Sequence, residues 1–318
     1  MPTLNTSMQG KICMVTGATS GIGKATAMEL ARMGATMVMV SRDRAKGEAV
    51  QSEIKTKSGN DTVALSLIER HAATPLSRLP TVSGMKGINV DLLLADLSSQ
   101  ASIRQLAENF QQHYAQLHVL INNAGVSMFA RQETVDGLET TFAVNQLAPF
   151  LLTNLLLDVL KASAPARIVN VSSAAQQSAS LDMDNLQSKK RYTFMNSYGQ
   201  SKLALVMFTY ELARRLEGTG VTANCLHPGF VATNIGQSGA GPVGRAVVKF
   251  IFSNFGISPE EGAKTSIYLA TSPDVEGVTG KYFVKSIPKR SAPITYDESL
   301  QRQLWDKCAK LVDLPVKV

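Results

Sequence analysis

Cysteine is scarce in this chain. The three present, Cys13, Cys225 and Cys308, are too few and too scattered for a disulfide framework or a metal site. Cys13 and Cys225 lie in apolar, strand-like runs, where a buried free thiol is the expected state. That points to a reducing compartment, and the expected location is cytoplasmic. No His/Cys/Asp cluster offers a metal ligand set, so no metal is expected. Aromatic residues make up only 6%, with a single tryptophan. No basic stripe interleaved with aromatics is visible, so no nucleic acid is expected as a partner. No uninterrupted run of about eighteen apolar residues marks a transmembrane helix, and no secretory signal pattern opens the chain. There is no acidic excess either. The net charge is +7, and the basic residues are dispersed, with short clusters such as Lys189-Lys190-Arg191. A mildly cationic surface of this kind suits a phosphate-bearing cofactor or an anionic membrane.

What is present is a large apolar fraction, 44% of 318 residues, enough for a single α/β domain with a sizeable core. No internal repeat and no dividing linker is seen, so one domain over 1–318 is expected. Apolar runs alternate with helical patterns. The strands read as Lys11–Thr16, Thr36–Ser41, Val90–Ala95, Val119–Asn122, Arg167–Ser172, Thr222–Leu226 and Lys281–Val284. Continuous Val/Ile/Leu runs separated by helices predict a doubly wound, Rossmann-type parallel sheet of about seven strands, covered on both faces. Residues 61–86 are long for a connection, and carry a short helix or a surface loop.

Thr16-Gly17-Ala18-Thr19-Ser20-Gly21-Ile22-Gly23 follows the first strand and opens a helix. Its glycines permit a tight turn and close backbone approach to a pyrophosphate, which the free N–H groups of the helix start would meet. The spacing is GxxxGxG rather than GxGxxG. A residue reading the adenosine ribose is expected at the end of the second strand, about twenty residues on. Ser41 and Arg42 stand there. No acid occupies the position, and a guanidinium suits a phosphate, so NADP(H) is expected over NAD(H). Asp43 is the competing candidate, one register step away.

Tyr198 and Lys202 are four residues apart, on one face of a helix. An ammonium beside a phenol favours the phenolate, which makes an acid or base out of a group with a reference pKa of about 10. Hydride transfer between an alcohol and a carbonyl needs such a group. Alone, the pair is equally well read as a half-exposed tyrosine above a solvated lysine.

Taken in order, these motifs resemble the short-chain dehydrogenase/reductase family. The resemblance runs from about Gly10 to the last strand. It rests on TGATSGIG at 16–23, Asp96-Leu97, NNAG at 122–125, Asn145, VSS at 171–173, YxxxK at 198–202 and Pro228-Gly229. It implies Tyr198 as acid/base, Lys202 as the group that tunes it and holds the nicotinamide ribose, and Ser173, with Ser172 as the alternative, on the substrate oxygen. Asn145 would anchor a water in a proton relay. For the cofactor it implies Gly17, Thr19, Ser20, Gly21, Ile22 and Gly23 at the pyrophosphate, and Asp96 with Leu97 near the adenine. Asn122, Ala124 and Gly125 would lie near the ribose, and Pro228, Gly229, Val231 and Thr233 near the nicotinamide. Pro149 lacks an N–H, so the Asn145 carbonyl loses its i+4 donor and needs another partner. A plain proline kink is the compatible alternative.

Within the family, SRDRAKGE at 41–48, the stretch from Thr134 to Leu157, the segment before Tyr192, and GKYF at 280–283 with Trp305 beyond it look similar to the retinol dehydrogenase-like group. Plant-type protochlorophyllide reductases share parts of this outline. Gln146, where a histidine is frequent, and the 61–86 insertion depart from it. The resemblance implies an alcohol–carbonyl oxidoreductase on a small apolar, retinoid-like substrate. A substrate lid is expected at 233–258, with core packing or a subunit contact as the equal alternative and membrane attachment as the weaker one. A homodimer or homotetramer through helices near Ala148–Lys161 and Tyr198–Leu216 is the family's habit. A non-catalytic NADP(H)-binding regulator and a nucleotide-sugar epimerase are the rival classes. All four catalytic positions are filled, against the first, and the epimerase turn is missing.

Overall fold

Ile-Cys-Met-Val-Thr offers no polar face, and it forms a strand buried on both sides, β1 (Ile12–Thr16). In the computed structural model, which describes residues 7–58, 90–230 and 256–315, Met14 packs on one face of the sheet with Val38, Leu120 and Ile168. Cys13 and Val15 pack on the other, with Met37, Met39 and Ile121. A strand walled in by two helical layers reads as a continuous apolar run rather than an alternating one.

The chain continues through α1 (Gly21–Arg32), β2 (Thr36–Ser41), α2 (Arg44–Lys57), β3 (Val90–Leu94), α3 (Gln100–His113) and β4 (Val119–Asn122). A helical run follows as α4 (Thr140–Phe142), a π-helical turn (Ala143–Leu147), α5 (Ala148–Leu155) and α6 (Leu157–Ala162). Then come β5 (Ala166–Val171), α7 (Phe194–Arg215), β6 (Val221–His227), α8 (Pro259–Thr271), β7 (Tyr282–Val284), β8 (Ile287–Lys289) and α9 (Glu298–Leu311).

The strands order as β3-β2-β1-β4-β5-β6-β7-β8. All pairs are parallel except β7 with β8. The strand order reverses between β1 and β4, and a crevice outside the carboxyl ends of the strands at such a point is where an α/β sheet takes a ligand. The eighth strand extends the predicted seven. Its residues are all exposed and include Pro288, so it gives no apolar run to read.

The predicted kink at Pro149 is a π-helical turn. The Ala148 N–H reaches back to the Ala143 carbonyl, an i+5 link. Pro149 has no N–H to offer the Asn145 carbonyl, and the helix widens just ahead of it. The helix predicted to run to Lys161 breaks at Leu156, whose backbone leaves the helical region.

The faces expected to pair subunits are filled from within the chain. Trp305 and Leu304 of α9 sit in the same core as Phe150 and Phe208. The Trp305 ring lies 4.9 Å from Phe150 and 5.7 Å from Phe208, and the Arg215 guanidinium stacks over it at 4.2 Å. Arg104 anchors the end of α9 through the Val312 carbonyl at 2.6 Å. Among the described residues no helix is long and apolar enough to cross a membrane. The 61–86 insertion, Val231, Thr233 and all but the last three residues of the expected lid lie outside the described residues.

Candidate active site

Six strand ends converge on one edge of the sheet. The β1 turn, Ser41, Asp96, the 122–125 loop, Ser172-Ser173 and Pro228-Gly229 all follow parallel strands at their carboxyl ends. Sequence positions from 16 to 229 therefore meet in one crevice.

The glycine turn is built to admit a ligand backbone-close. Gly17 has φ +67, and a Cβ on Gly23 would meet the Gly17 carbonyl oxygen at 2.3 Å and Asn123 Nδ2 at 2.4 Å. No larger residue fits at either position without moving the turn. Ser20 is the N-cap of α1 but makes no side-chain cap bond. The first N–H groups of α1 thus lack the usual side-chain acceptor, the arrangement that receives a phosphate. This cradle, with an open helix start, fits a dinucleotide pyrophosphate.

Thr16 and Asn123 hold the turn. The Thr16 hydroxyl accepts from the Asn123 and Ala124 N–H groups at 3.0 and 3.1 Å. Asn123 Nδ2 donates to the Thr16 carbonyl at 2.9 Å. Both lie within the TGATSGIG and NNAG motifs, and the fold uses them to tie β1 to β4.

At the end of β2 the Ser41 hydroxyl is spent locally, donating to the Asp43 carbonyl at 2.9 Å and accepting its N–H at 3.1 Å. Asp43 caps α2 through the Lys46 N–H at 3.1 Å, and that bond is the main cause holding its carboxyl below the usual range. Arg44 pairs with Glu48 at 3.6 Å. Arg42 is exposed and makes no ion pair among the described residues.

Asp96 Oδ1 accepts from the Ser98 N–H and hydroxyl at 2.9 and 2.7 Å, and Leu97 packs onto the core. Asn122 departs from expectation. Its side chain turns inward, donating to Asn170 at 2.8 Å and Thr153 at 3.1 Å, so only its backbone can face a ribose. Gly125 lies beside the Lys202 and Asn145 side chains. A Cβ on Gly125 would lie 3.2 Å from Lys202 Nζ and 3.3 Å from Asn145 Oδ1.

Tyr198, Lys202 and Ser173 come together where the sequence places them. Lys202 is 3% exposed, and its Nζ donates to the Val171 carbonyl at 2.9 Å. Burial without a nearby carboxylate lowers its pKa to about 8. Its Nζ is 5.9 Å from the Tyr198 ring centre. The Tyr198 pKa is raised, chiefly by burial, and the Ser173 hydroxyl opposes that rise. The lowering expected from the ammonium is not what the structure shows: burial is the dominant cause, and it drives the pKa up. Ser172 is withdrawn from the crevice, because its hydroxyl donates to the Lys202 carbonyl at 2.9 Å. Of the two serines, Ser173 is the one facing Tyr198.

The Asn145 side chain is fully engaged. Oδ1 accepts from the Val126 N–H at 2.8 Å, while Nδ2 donates to the Val126 carbonyl at 2.9 Å and to Ser201 Oγ at 3.0 Å. It pins the loop after β4 to α7, leaving its backbone carbonyl as the group for a relay. His227 joins the last two walls: Nδ1 accepts from the Ala174 N–H at 3.2 Å and from Gly229 at 3.4 Å. Burial lowers its pKa, which suits an acceptor nitrogen. Pro228 and Gly229 follow it at the crevice edge, beside Ile257.

A nucleotide cradle beside a half-buried Tyr198 and Ser173 and a buried Lys202 defines a dinucleotide-dependent oxidoreductase of alcohol and carbonyl groups. Comparison with known proteins gives the family. The short chain dehydrogenase family matches residues 11–74 and 57–240. Human retinol dehydrogenase 14 is 44% identical over 311 residues, covering 96% of this chain and 88% of that protein. Human polyprenol dehydrogenase is 40% identical over 309 residues, covering 95% and 84%. Among solved structures, a putative uncharacterized protein from Mycobacterium paratuberculosis superposes with a TM-score of 0.73 at 28% identity, covering 98% of this chain and 97% of that one. The RhlG/NADP active-site complex of Pseudomonas aeruginosa gives 0.63 at 26%, covering 89% and 96%. The chain belongs to the short-chain dehydrogenase family, close to its retinol dehydrogenase-like members.

Proposed function

We propose that this protein is an NADP(H)-dependent oxidoreductase that interconverts an apolar alcohol with its aldehyde or ketone. The carrying observation is the exposed Arg42, without an ion pair among the described residues, at the ribose end of a cradle whose one competing acid, Asp43, is committed to capping α2. Arg42 would hold the phosphate that distinguishes NADP(H), through charge-assisted bonds. Gly17 to Gly23, Asp96, Leu97, Ala124, Gly125, Pro228 and Gly229 would line the rest of the cofactor site. The bound nicotinamide supplies or takes the hydride. Tyr198 gives its proton to the substrate oxygen in reduction, and Ser173 hydrogen-bonds the same oxygen. Lys202 and the Asn145 carbonyl return a proton to Tyr198 through water. Acid–base help of this kind is worth about 10² to 10⁴-fold in rate.

An apolar substrate is supported by the rim of the crevice. Phe194 lies one helical turn before Tyr198, on the same face of α7, and stacks on Phe129 with ring centres 4.8 Å apart. Phe129 is 41% exposed and Met195 64%. Large apolar groups left in water at a site mouth mark an apolar ligand path. Two relatives are named for retinol and polyprenol, both long apolar alcohols. The proposal includes a small-molecule substrate as the partner and a cytoplasmic location, in keeping with three buried free thiols. It retains a homo-oligomer, built on surfaces that α9 leaves free.

The test is turnover of apolar aldehydes of increasing chain length with NADPH. Activity should rise with chain length, disappear in Tyr198→Phe, and in Arg42→Ala lose affinity for NADPH far more than for NADH. Equal loss for both cofactors would overturn the NADP(H) assignment, and a preference for short polar carbonyls would overturn the apolar one.

A further inference from the structure

Ser197 and Ser201 stand four residues apart on α7, each one residue ahead of a residue of the Tyr198–Lys202 pair. Both hydroxyls are held by one segment. Ser197 Oγ donates to Glu139 Oε2 at 3.0 Å, and Asn145 Nδ2 donates to Ser201 Oγ at 3.0 Å. Ser201 Oγ in turn donates to the Tyr198 carbonyl at 2.8 Å. Glu139 is fully buried and Ser197 is 3% exposed.

Glu139 cannot follow Ser197 if α7 turns. Its Oε1 accepts the Thr141 N–H and its Oε2 the Phe142 N–H, both at 2.8 Å, and its own N–H donates to Gln187 Oε1 at 2.8 Å. The carboxylate is thus fixed to the start of the helical run that carries Asn145. Short side chains such as Ser or Asp are the usual helix caps. A buried carboxylate is an expensive one, because the charge must be desolvated. The longer glutamate does what a short cap does not: it caps its own helix and also reaches α7.

Two holds one turn apart constrain a helix in a way that one does not. A single contact is a pivot. Two contacts at the same azimuth fix both rotation and tilt. The lever is long: the helix radius of about 2.3 Å plus a tyrosine reach of about 6 Å means a turn of roughly 10° moves the phenol oxygen by about 1.4 Å. A displacement near 1 Å can cost about 10²-fold in rate.

We propose that Glu139, through Ser197, is a positioning residue that works with the Asn145–Ser201 bond to hold α7 at the rotation where Tyr198 and Lys202 face the crevice. This rests on the reading of Tyr198 as the proton donor. The test compares Ser197→Ala and Glu139→Asp in the full chain, measuring kcat, KM, NADPH affinity, thermal midpoint and the pH dependence of kcat for alcohol oxidation. Ser197→Ala removes one hydroxyl from a helix interior. Glu139→Asp keeps the charge and the cap but shortens the reach. Each should lower kcat about tenfold while KM and NADPH affinity stay within about twofold. The rise of kcat with pH should move upward, because a phenol turned away from Lys202 ionises less readily. An unchanged kcat and pH profile in Ser197→Ala, with only the thermal midpoint lowered, would overturn the proposal by making the pair simply structural. If Glu139→Asp fails to fold, Ser197→Ala decides alone. Full activity in Tyr198→Phe would instead sink the proton-donor reading beneath it, so the two failures are distinguishable.

Discussion

Replacing Lys202 by methionine should make the cofactor-free protein more stable at neutral pH while removing its activity. Lys202 is buried, and its pKa falls from 10.5 to about 8 because the ammonium is desolvated. That lowering is a penalty on the order of 3 kcal/mol for holding the charge inside. Methionine removes the penalty but leaves the Val171 carbonyl without its 2.9 Å donor. An unsatisfied buried carbonyl costs about 1–3 kcal/mol, so the variant should gain up to about 2 kcal/mol at pH 7. The sign reverses with pH. The folded pKa is depressed, so between about pH 8 and 10.5 the unfolded native-sequence chain binds more protons than the folded one. Native stability therefore rises across that window, and the variant has no such gain. The buried thiols titrate equally in both proteins and cancel in the difference. By pH 10.5 the variant should be the less stable of the two, by the missing hydrogen bond. The assay is urea unfolding of both proteins from pH 7 to 10.5, beside turnover with NADPH. A stability difference that stays constant over that range would refute the reasoning, as would a Lys202→Met enzyme that keeps its turnover.

Gly23→Ala puts a methyl 2.3 Å from the Gly17 carbonyl oxygen, which forces the turn to move by about 1 Å; overpacking of that kind costs about 1–3 kcal/mol. NADPH affinity should drop at least about tenfold in a fluorescence titration, and an unaltered affinity would show that the cradle is not where the cofactor sits. Trp305→Ala removes the ring packed on Phe150, Phe208 and Arg215, and should cost about 3–5 kcal/mol in urea unfolding with little change in slope. A loss below about 1 kcal/mol would mean that α9 is a loose appendage rather than part of the core.

Gly17 and Gly21 at 17 and 21, Tyr198 four before Lys202, and the apolar runs of β1, β2 and β4 were legible in the chain because each depends on local geometry. A tight turn needs glycine wherever it occurs, a helix places i and i+4 together, and a doubly covered strand needs no polar residue. From these came the parallel sheet, the phosphate cradle, the Tyr–Lys pair and, with the ordered motifs, the family. Tertiary structure decided matters that depend on which distant groups meet. Ser173 rather than Ser172 faces Tyr198 because Ser172 is drawn to the Lys202 carbonyl, thirty residues away in sequence. Asn122 turns inward because Asn170 and Thr153 meet it across the sheet and its helical cover. Asp43 caps α2 through the Lys46 N–H. The apolar faces of α5 and α7 are met by Trp305 and its neighbours from the far end of the chain. Glu139, silent in the sequence, reaches Ser197 beside Tyr198. A side chain's type and spacing are written in one dimension. Its partner is set only when the chain folds, and with buried polar groups the partner decides what the residue does.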